Sequence, residues 1–129
     1  MLTSYLFFDI ISLETNKTKR KEEKIMTQKE LDIDIILENH KHWVNKDCNG
    51  WEYMRAILRN ADLKEKILRN INLPYADLRN ANLRNVDLKN ANLENANLVS
   101  ANLEHADLIN ANLRNTHLGY VNLRNASFI

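Results

Sequence analysis

From Ala56 onward the chain repeats every five residues without a slip. Leu stands third in all 14 full units, from Leu58 to Leu123, and Phe128 takes its place in the partial unit that follows. The units read AILRN, ADLKE, KILRN, INLPY, ADLRN, ANLRN, VDLKN, ANLEN, ANLVS, ANLEH, ADLIN, ANLRN, THLGY and VNLRN, then ASFI. A period of five excludes a helical core face: at about 100° per residue, successive Leu side chains fall roughly 140° apart and scatter around the circumference. In an extended segment, positions one and three share a side, so small Ala and large Leu point together while the Asn or Asp between them points away. A straight strand would send the next unit to the opposite face, so the chain must turn at each unit boundary. The fifth residue is mostly Asn, which tolerates left-handed and turn conformations. The chain therefore winds as a solenoid, with Leu and Ala inside and equivalent residues stacked about 4.8 Å apart.

Tandem A-(D/N)-L-x-x units of this kind resemble the pentapeptide-repeat proteins over residues 56–129. The resemblance implies an all-β solenoid, a right-handed quadrilateral β-helix with four units per coil, in which residues stack at i, i+20. Fourteen units make about three and a half coils, a rod on the order of 17 Å long. The inward ladder is Leu58, Leu63, Leu68, Leu73, Leu78, Leu83, Leu88, Leu93, Leu98, Leu103 and Leu108. Departures cluster in the first coil, where Lys66 replaces an inward Ala, Ile57 and Ile67 replace outward Asn or Asp, and Pro74-Tyr75 closes the coil. An irregular first coil is expected beneath a capping helix, with Trp43 and Trp51 packing on its end.

That helix is predicted just upstream. Thr27-Gln28-Lys29-Glu30 has the spacing of a capping box, and Ile33, Ile36, Leu37, His40, Trp43 and Val44 form one apolar stripe over about 18 residues. Asn45 to Gly50 ends it, giving a capping helix and linker over 26–55. This helix resembles the N-terminal cap seen in some members of the family. Residues 1–25 read as a disordered or non-native leader: Met1 to Ile11 is apolar but has no basic segment before it, and the charged run Lys17 to Lys24 follows it, so it fails as a secretory signal. Lys21 to Met26 can be encoded by a purine-rich ribosome-binding sequence followed by ATG, and translation is expected to start at Met26.

His40, His42 and Cys48 raise a metal reading that the spacing does not support. Two residues apart on a helix point in separate directions, and no second ligand pair follows at a zinc interval. His40 is expected on the apolar stripe and Cys48 in a turn, with no metal, cofactor or catalytic residue. No nucleophile with base and orienter and no phosphate-cradling Gly loop stands out, so the chain is not read as an enzyme. The lone Cys48 cannot form an internal disulfide, and no apolar stretch approaches the roughly 20 residues of a bilayer span. A soluble, cytoplasmic protein without membrane contact is expected.

Global charge selects no partner, because 18 Lys and Arg stand against 17 Asp and Glu, a net of +1. At the fourth position, Arg59, Lys64, Arg69, Arg79, Arg84 and Lys89 make the first two coils a basic half, while Val99 and Ile109 are apolar in the third. Arg59, Arg79, Arg84, Lys89, Val99 and Ile109 are the candidate face for an unidentified protein partner. Nearby carboxylates and the lack of an aromatic stacking platform argue against nucleic acid. The sequence stops at Phe128-Ile129 with nothing to cover the final ring of Leu113, Leu118, Leu123 and Phe128, and the resemblance implies pairing through this end, which members of the family often use. A head-to-head homodimer through Leu113, Leu118, Tyr120, Leu123, Phe128 and Ile129 is therefore expected.

The leading functional reading is a non-enzymatic interaction module or scaffold. The alternative is a DNA-mimicking gyrase regulator like the quinolone-resistance pentapeptide proteins, which requires a long acidic rod. Residues 56–125 instead carry nine Lys or Arg and seven Asp or Glu, a net of +2.

Overall fold

The computed structural model describes residues 28–129, with side chains from Ile33 onward. The leader and the Met26 start lie outside the described residues, as do Thr27 and the Glu30 side chain, so the expected capping box falls outside them too. The chain divides into two compact units that meet between Arg55 and Ala56.

In the first unit, α1 (Gln28–Asn45) is 18 residues long. Ile33 and His40 are buried, Ile36, Leu37, Trp43 and Val44 half-buried, and Asp34, Glu38 and Lys41 exposed, as an amphipathic stripe requires. Asn39 is buried beside them. The helix stops because Lys46 takes the left-handed conformation (φ 55°) while its N–H still donates to the His42 carbonyl at 2.8 Å. Gly50, also left-handed at φ 83°, then leads into a 3₁₀ turn at Trp51–Tyr53. No helix among the described residues is long and apolar enough to cross a membrane.

The second unit is the solenoid, a right-handed quadrilateral β-helix. Parallel bridges join residues 20 apart, from Ile57 with Asp77 to Asp107 with Ser127, so each coil holds four pentapeptides and each pentapeptide forms one side. Complete coils span residues 56–75, 76–95 and 96–115, and residues 116–129 begin a fourth.

Every backbone N–H in a typical unit has an assigned acceptor, and these assignments explain the sequence pattern. The second residue donates to the coil below, as Asp77 does to the Ala56 carbonyl, while the third and fifth donate to the coil above, as Leu58 and Asn60 do to the Asp77 and Arg79 carbonyls. These inter-coil bonds run from 2.7 to 3.0 Å. The first residue closes the corner by donating to the Leu carbonyl three residues back, as Ala61 does to Leu58. That leaves the fourth N–H, which donates to the side-chain oxygen of the second residue in the same unit: Val99 to Asn97 Oδ1 at 3.1 Å and Ile109 to Asp107 Oδ1 at 3.2 Å are examples. An Asn or Asp at position two thus completes the turn from within. Pro74 has no N–H to place, and in its unit Asn72 instead accepts from Asn92 Nδ2 at 2.8 Å.

The corner itself requires a left-handed residue, and all 14 fifth positions have φ between 55° and 63°. Asn accepts this conformation readily. Glu65, Tyr75, Ser100 and Tyr120 adopt it without that advantage. Inside, the eleven Leu residues from Leu58 to Leu108 are all buried, and Leu68, in the unit where half-buried Lys66 replaces Ala, is the most accessible of them.

Outside, position-two residues 20 apart form hydrogen-bonded columns. Asn112 Nδ2 donates to Asn92 Oδ1 at 3.0 Å, above the Asn92–Asn72 bond, and Asn82 donates to Asp62 and Asn122 to Asn102 in the column on the opposite side. Asn70, Asn90 and Asn110 also stack 20 residues apart, but they are corner residues whose backbone conformation explains their identity. Asp77 is the most enclosed of the outward carboxylates. It receives a bidentate pair from Arg79 (Nε to Oδ1 2.9 Å, Nη2 to Oδ2 2.7 Å) and a further bond from Arg59 Nε at 2.5 Å. The Arg79 hydrogen bonds, followed by those from Arg59, hold its carboxyl far below the usual carboxylate range against the opposing effect of burial.

Two outcomes follow for the solenoid. Leu88→Lys places a charge in the stacked core and abolishes the cooperative urea transition of the repeat, whereas Leu88→Ala retains it with a loss of about 2–5 kcal/mol. Asp77→Asn keeps the side-chain oxygen that completes the turn but removes the charge. Because the folded-state pKa is depressed, the stabilisation from Asp77 is complete above the unfolded carboxyl pKa near about 4 and is lost as pH falls through the lower folded value. The variant is therefore less stable by about 1–2 kcal/mol at pH 7, and its difference from wild type shrinks when unfolding is measured at progressively lower pH below about 4.

Candidate functional site

Because the chain turns a corner at each unit, fourth positions five residues apart lie on different sides of the solenoid, and only those 20 apart share a column. The register places Arg59, Arg79 and Val99 on one side, Arg84 on the next, and Lys89 with Ile109 on a third. The six residues expected to form one partner face therefore occupy three sides. The grouping fails because it followed coils, whereas a surface follows a column.

The basic residues are also occupied. Arg59 and Arg79 converge on Asp77, Arg84 Nε lies 3.3 Å from Glu104 Oε2, Lys89 Nζ lies 3.0 Å from Asp107 Oδ2, and Arg69 bonds Asp87. Arg59, Arg69, Arg84 and Lys89 are each fixed against a carboxylate one coil away, whereas Arg79 pairs with Asp77 of its own unit. Hydrogen bonding from Arg69, with the Lys89 backbone N–H contributing, also lowers the Asp87 pKa. A surface of this kind offers shape and paired charge in fixed register rather than the row of available cations that tracks a phosphate backbone. Val99 and Ile109 interrupt two of the columns as half-buried aliphatics.

At the C-terminal coil, Leu113, Leu118 and Leu123 are only half-buried, unlike the equivalent Leu residues one coil below. Tyr120 is 93% exposed, and Phe128 and Ile129 are exposed as well. All six residues of the expected pairing surface thus carry accessible apolar area within the last 17 residues of the described chain, 113–129.

The turn after α1 holds a cluster that the sequence reading only half identified. His40 is fully buried and stacks on Trp43 with ring centroids 5.2 Å apart, as expected for a residue of the stripe. His42 instead meets the reversed chain: its Nδ1–H donates to Asp47 Oδ1 at 2.6 Å, and Cys48 completes a group whose potential ligand atoms all lie within 4.8 Å of one another. Asp47 was missing from the sequence reading because nothing in the spacing announces the left-handed Lys46 that folds residues 47 and 48 back alongside the last helical turn. The hydrogen bond from His42 lowers the Asp47 pKa, while partial burial and then the Asp47 charge push the Cys48 thiol up. A shallow polar depression lined by residues 46–52 adjoins the group.

The pentapeptide-repeat model, in eight copies, matches three overlapping stretches, residues 54–90, 76–115 and 106–129. Among solved structures, the pentapeptide repeat protein alr5209 from Nostoc PCC 7120 is 39% identical over 57% of this chain and 61% of its own, with a TM-score of 0.57. The pentapeptide repeat protein Rfr23 from the cyanobacterium Cyanothece 51142 is 37% identical over 58% of this chain and 55% of its own, with a TM-score of 0.42. HetL, a pentapeptide repeat protein of Nostoc sp. strain PCC 7120 involved in heterocyst differentiation regulation, is 29% identical over 57% of this chain and 45% of its own, with a TM-score of 0.35. The matched region thus spans less than two thirds of each of these structures. No curated protein matches. With the five-residue hydrogen-bond cycle, the 20-residue register and the family model agreeing over residues 54–129, the chain belongs to the pentapeptide-repeat family.

Proposed function

We propose that this chain is a non-enzymatic, cytoplasmic scaffold that binds a protein partner through one side of the solenoid and pairs with a second copy through the C-terminal coil. The observation that carries this reading is that Leu and Ala fill the interior while the outward side chains are locked at fixed spacing on flat sides. Such a body recognises by shape and register and undergoes little ordering on binding. The partner side in this reading is the Arg59, Arg79 and Val99 column, extended by Gly119 and the exposed ring of Tyr120, which this reading assigns to the partner side and not to the pairing surface. Tyr120 supports the choice because it occupies a left-handed corner where Asn would be conformationally cheaper, so its aromatic side chain is kept against backbone preference.

Two measurements test it. In affinity capture from native lysate with the full chain, Val99→Glu and Tyr120→Asn both lose a partner that the wild type retains, while their melting is unchanged or, for Tyr120→Asn, shifted slightly upward. Both substitutions introduce residues that other units already carry at the same positions, Glu94 and Glu104 at the fourth and Asn at the fifth. A partner retained equally by both variants removes this side from the reading. In sedimentation equilibrium the wild type has twice the 15.1 kDa chain mass, and Phe128→Glu reduces it to one; a wild-type monomer at all concentrations overturns the pairing.

A further inference from the structure

We propose that the turn after α1 is a binding site for a borderline divalent transition-metal ion of the Zn2+ class, held by the His42 imidazole, the Asp47 carboxylate and the Cys48 thiolate. The three residues supply nitrogen, oxygen and sulfur donors from a stretch of seven residues, and their potential ligand atoms already lie within 4.8 Å of one another. Tetrahedral zinc, with bonds of about 2.0–2.3 Å, sets its ligand atoms roughly 3.3–3.6 Å apart. The proton now shared between His42 Nδ1 and Asp47 Oδ1 stands where the ion would go. Replacing it widens the 2.6 Å separation by somewhat under about 1 Å, a movement that the exposed Asp47 side chain can supply by rotation.

The donor set selects the ion. A thiolate beside an imidazole suits Zn2+ and its softer neighbours and disfavours Mg2+ and Ca2+, which take oxygen ligands. Three protein ligands leave a fourth position for water. The cluster also sits at the C-terminal end of α1, where the helix dipole attracts a cation.

The turn is organised before any ion arrives. Left-handed Lys46 reverses the chain, and its ammonium is drawn over the Trp51 ring, 5.3 Å from the centroid. The Tyr53 N–H closes onto the Gly50 carbonyl at 3.1 Å, and Cys48 Sγ rests 3.7 Å from the sulfur of buried Met54. Ligands held in this way give up little freedom on coordination. On binding, the Cys48 thiol proton leaves to the buffer as the sulfur–metal bond forms, and the imidazole proton moves from Nδ1 to Nε2, so a proton is released for each ion bound.

Titration of the full-length chain with Co2+ under reducing conditions tests the site. A near-ultraviolet thiolate-to-cobalt charge-transfer band is expected, with the visible bands of tetrahedral Co2+, saturating at one equivalent; Zn2+ displaces the ion and excess Mg2+ does not. Cys48→Ser abolishes the charge-transfer band, and both Cys48→Ser and His42→Gln weaken competitive Zn2+ binding by at least about tenfold. Far-UV circular dichroism confirms that α1 persists in each variant. The proposal is overturned if the wild type gives no charge-transfer band, a result independent of how the variants fold, or if folded variants bind Zn2+ as tightly as the wild type.

Discussion

The solenoid depends on a backbone conformation repeated at every fifth residue. A left-handed residue at each corner turns the chain, and that turn lets the N–H groups of positions two, three and five reach the coils below and above. Without the turn, Leu in the next unit would face solvent and the inter-coil bonds would have no register. The other features are consequences. Asn or Asp suits position two because the fourth N–H is left out of the inter-coil bonds and finds its acceptor within the unit. Ala or another small residue suits position one because the corner bond from its N–H draws that backbone inward beside Leu.

This dependence explains why the architecture is legible in the residues while the surface is less so. The five-residue period, the inward Leu ladder and the Asn-rich corners each follow from a local rule, and all recur with every unit. Single sites such as Tyr75 and Ser100 adopt the corner conformation because their neighbours impose it, although their own preferences do not announce it. The ion pairs need a further step. Arg59 meets Asp77 and Arg84 meets Glu104 because charged residues about 18 to 20 apart are brought onto adjacent coils, a proximity that linear charge runs conceal. A reading by coils groups Arg79, Arg84 and Lys89 into a basic half. A reading by columns separates them onto three sides and pairs each with a carboxylate.

The turn after α1 shows the opposite limit. His42 and Cys48 are visible in the sequence, yet their relation depends on a single dihedral angle at Lys46, a residue with no strong preference for the left-handed region. Ideal helical spacing would carry Asp47 and Cys48 onward past His42. The reversal brings them back, so the His–Asp hydrogen bond and the nearby thiol arise from how the helix terminates rather than from which residues it contains.

These two settings distribute recognition differently. On the solenoid, side chains recur at a fixed rise and are bound into ladders and ion pairs, so specificity must come from places where the recurrence is broken, as at Val99 and Tyr120. The paired cations around them contribute little net attraction, since water and neighbouring carboxylates already satisfy them. Replacing an Arg in such a column would disturb its bridge as well as any partner contact and confound the two. An apolar or aromatic interruption can be returned to the consensus residue without disturbing the hydrogen-bond cycle, which separates what a side chain does for the fold from what it presents to a partner.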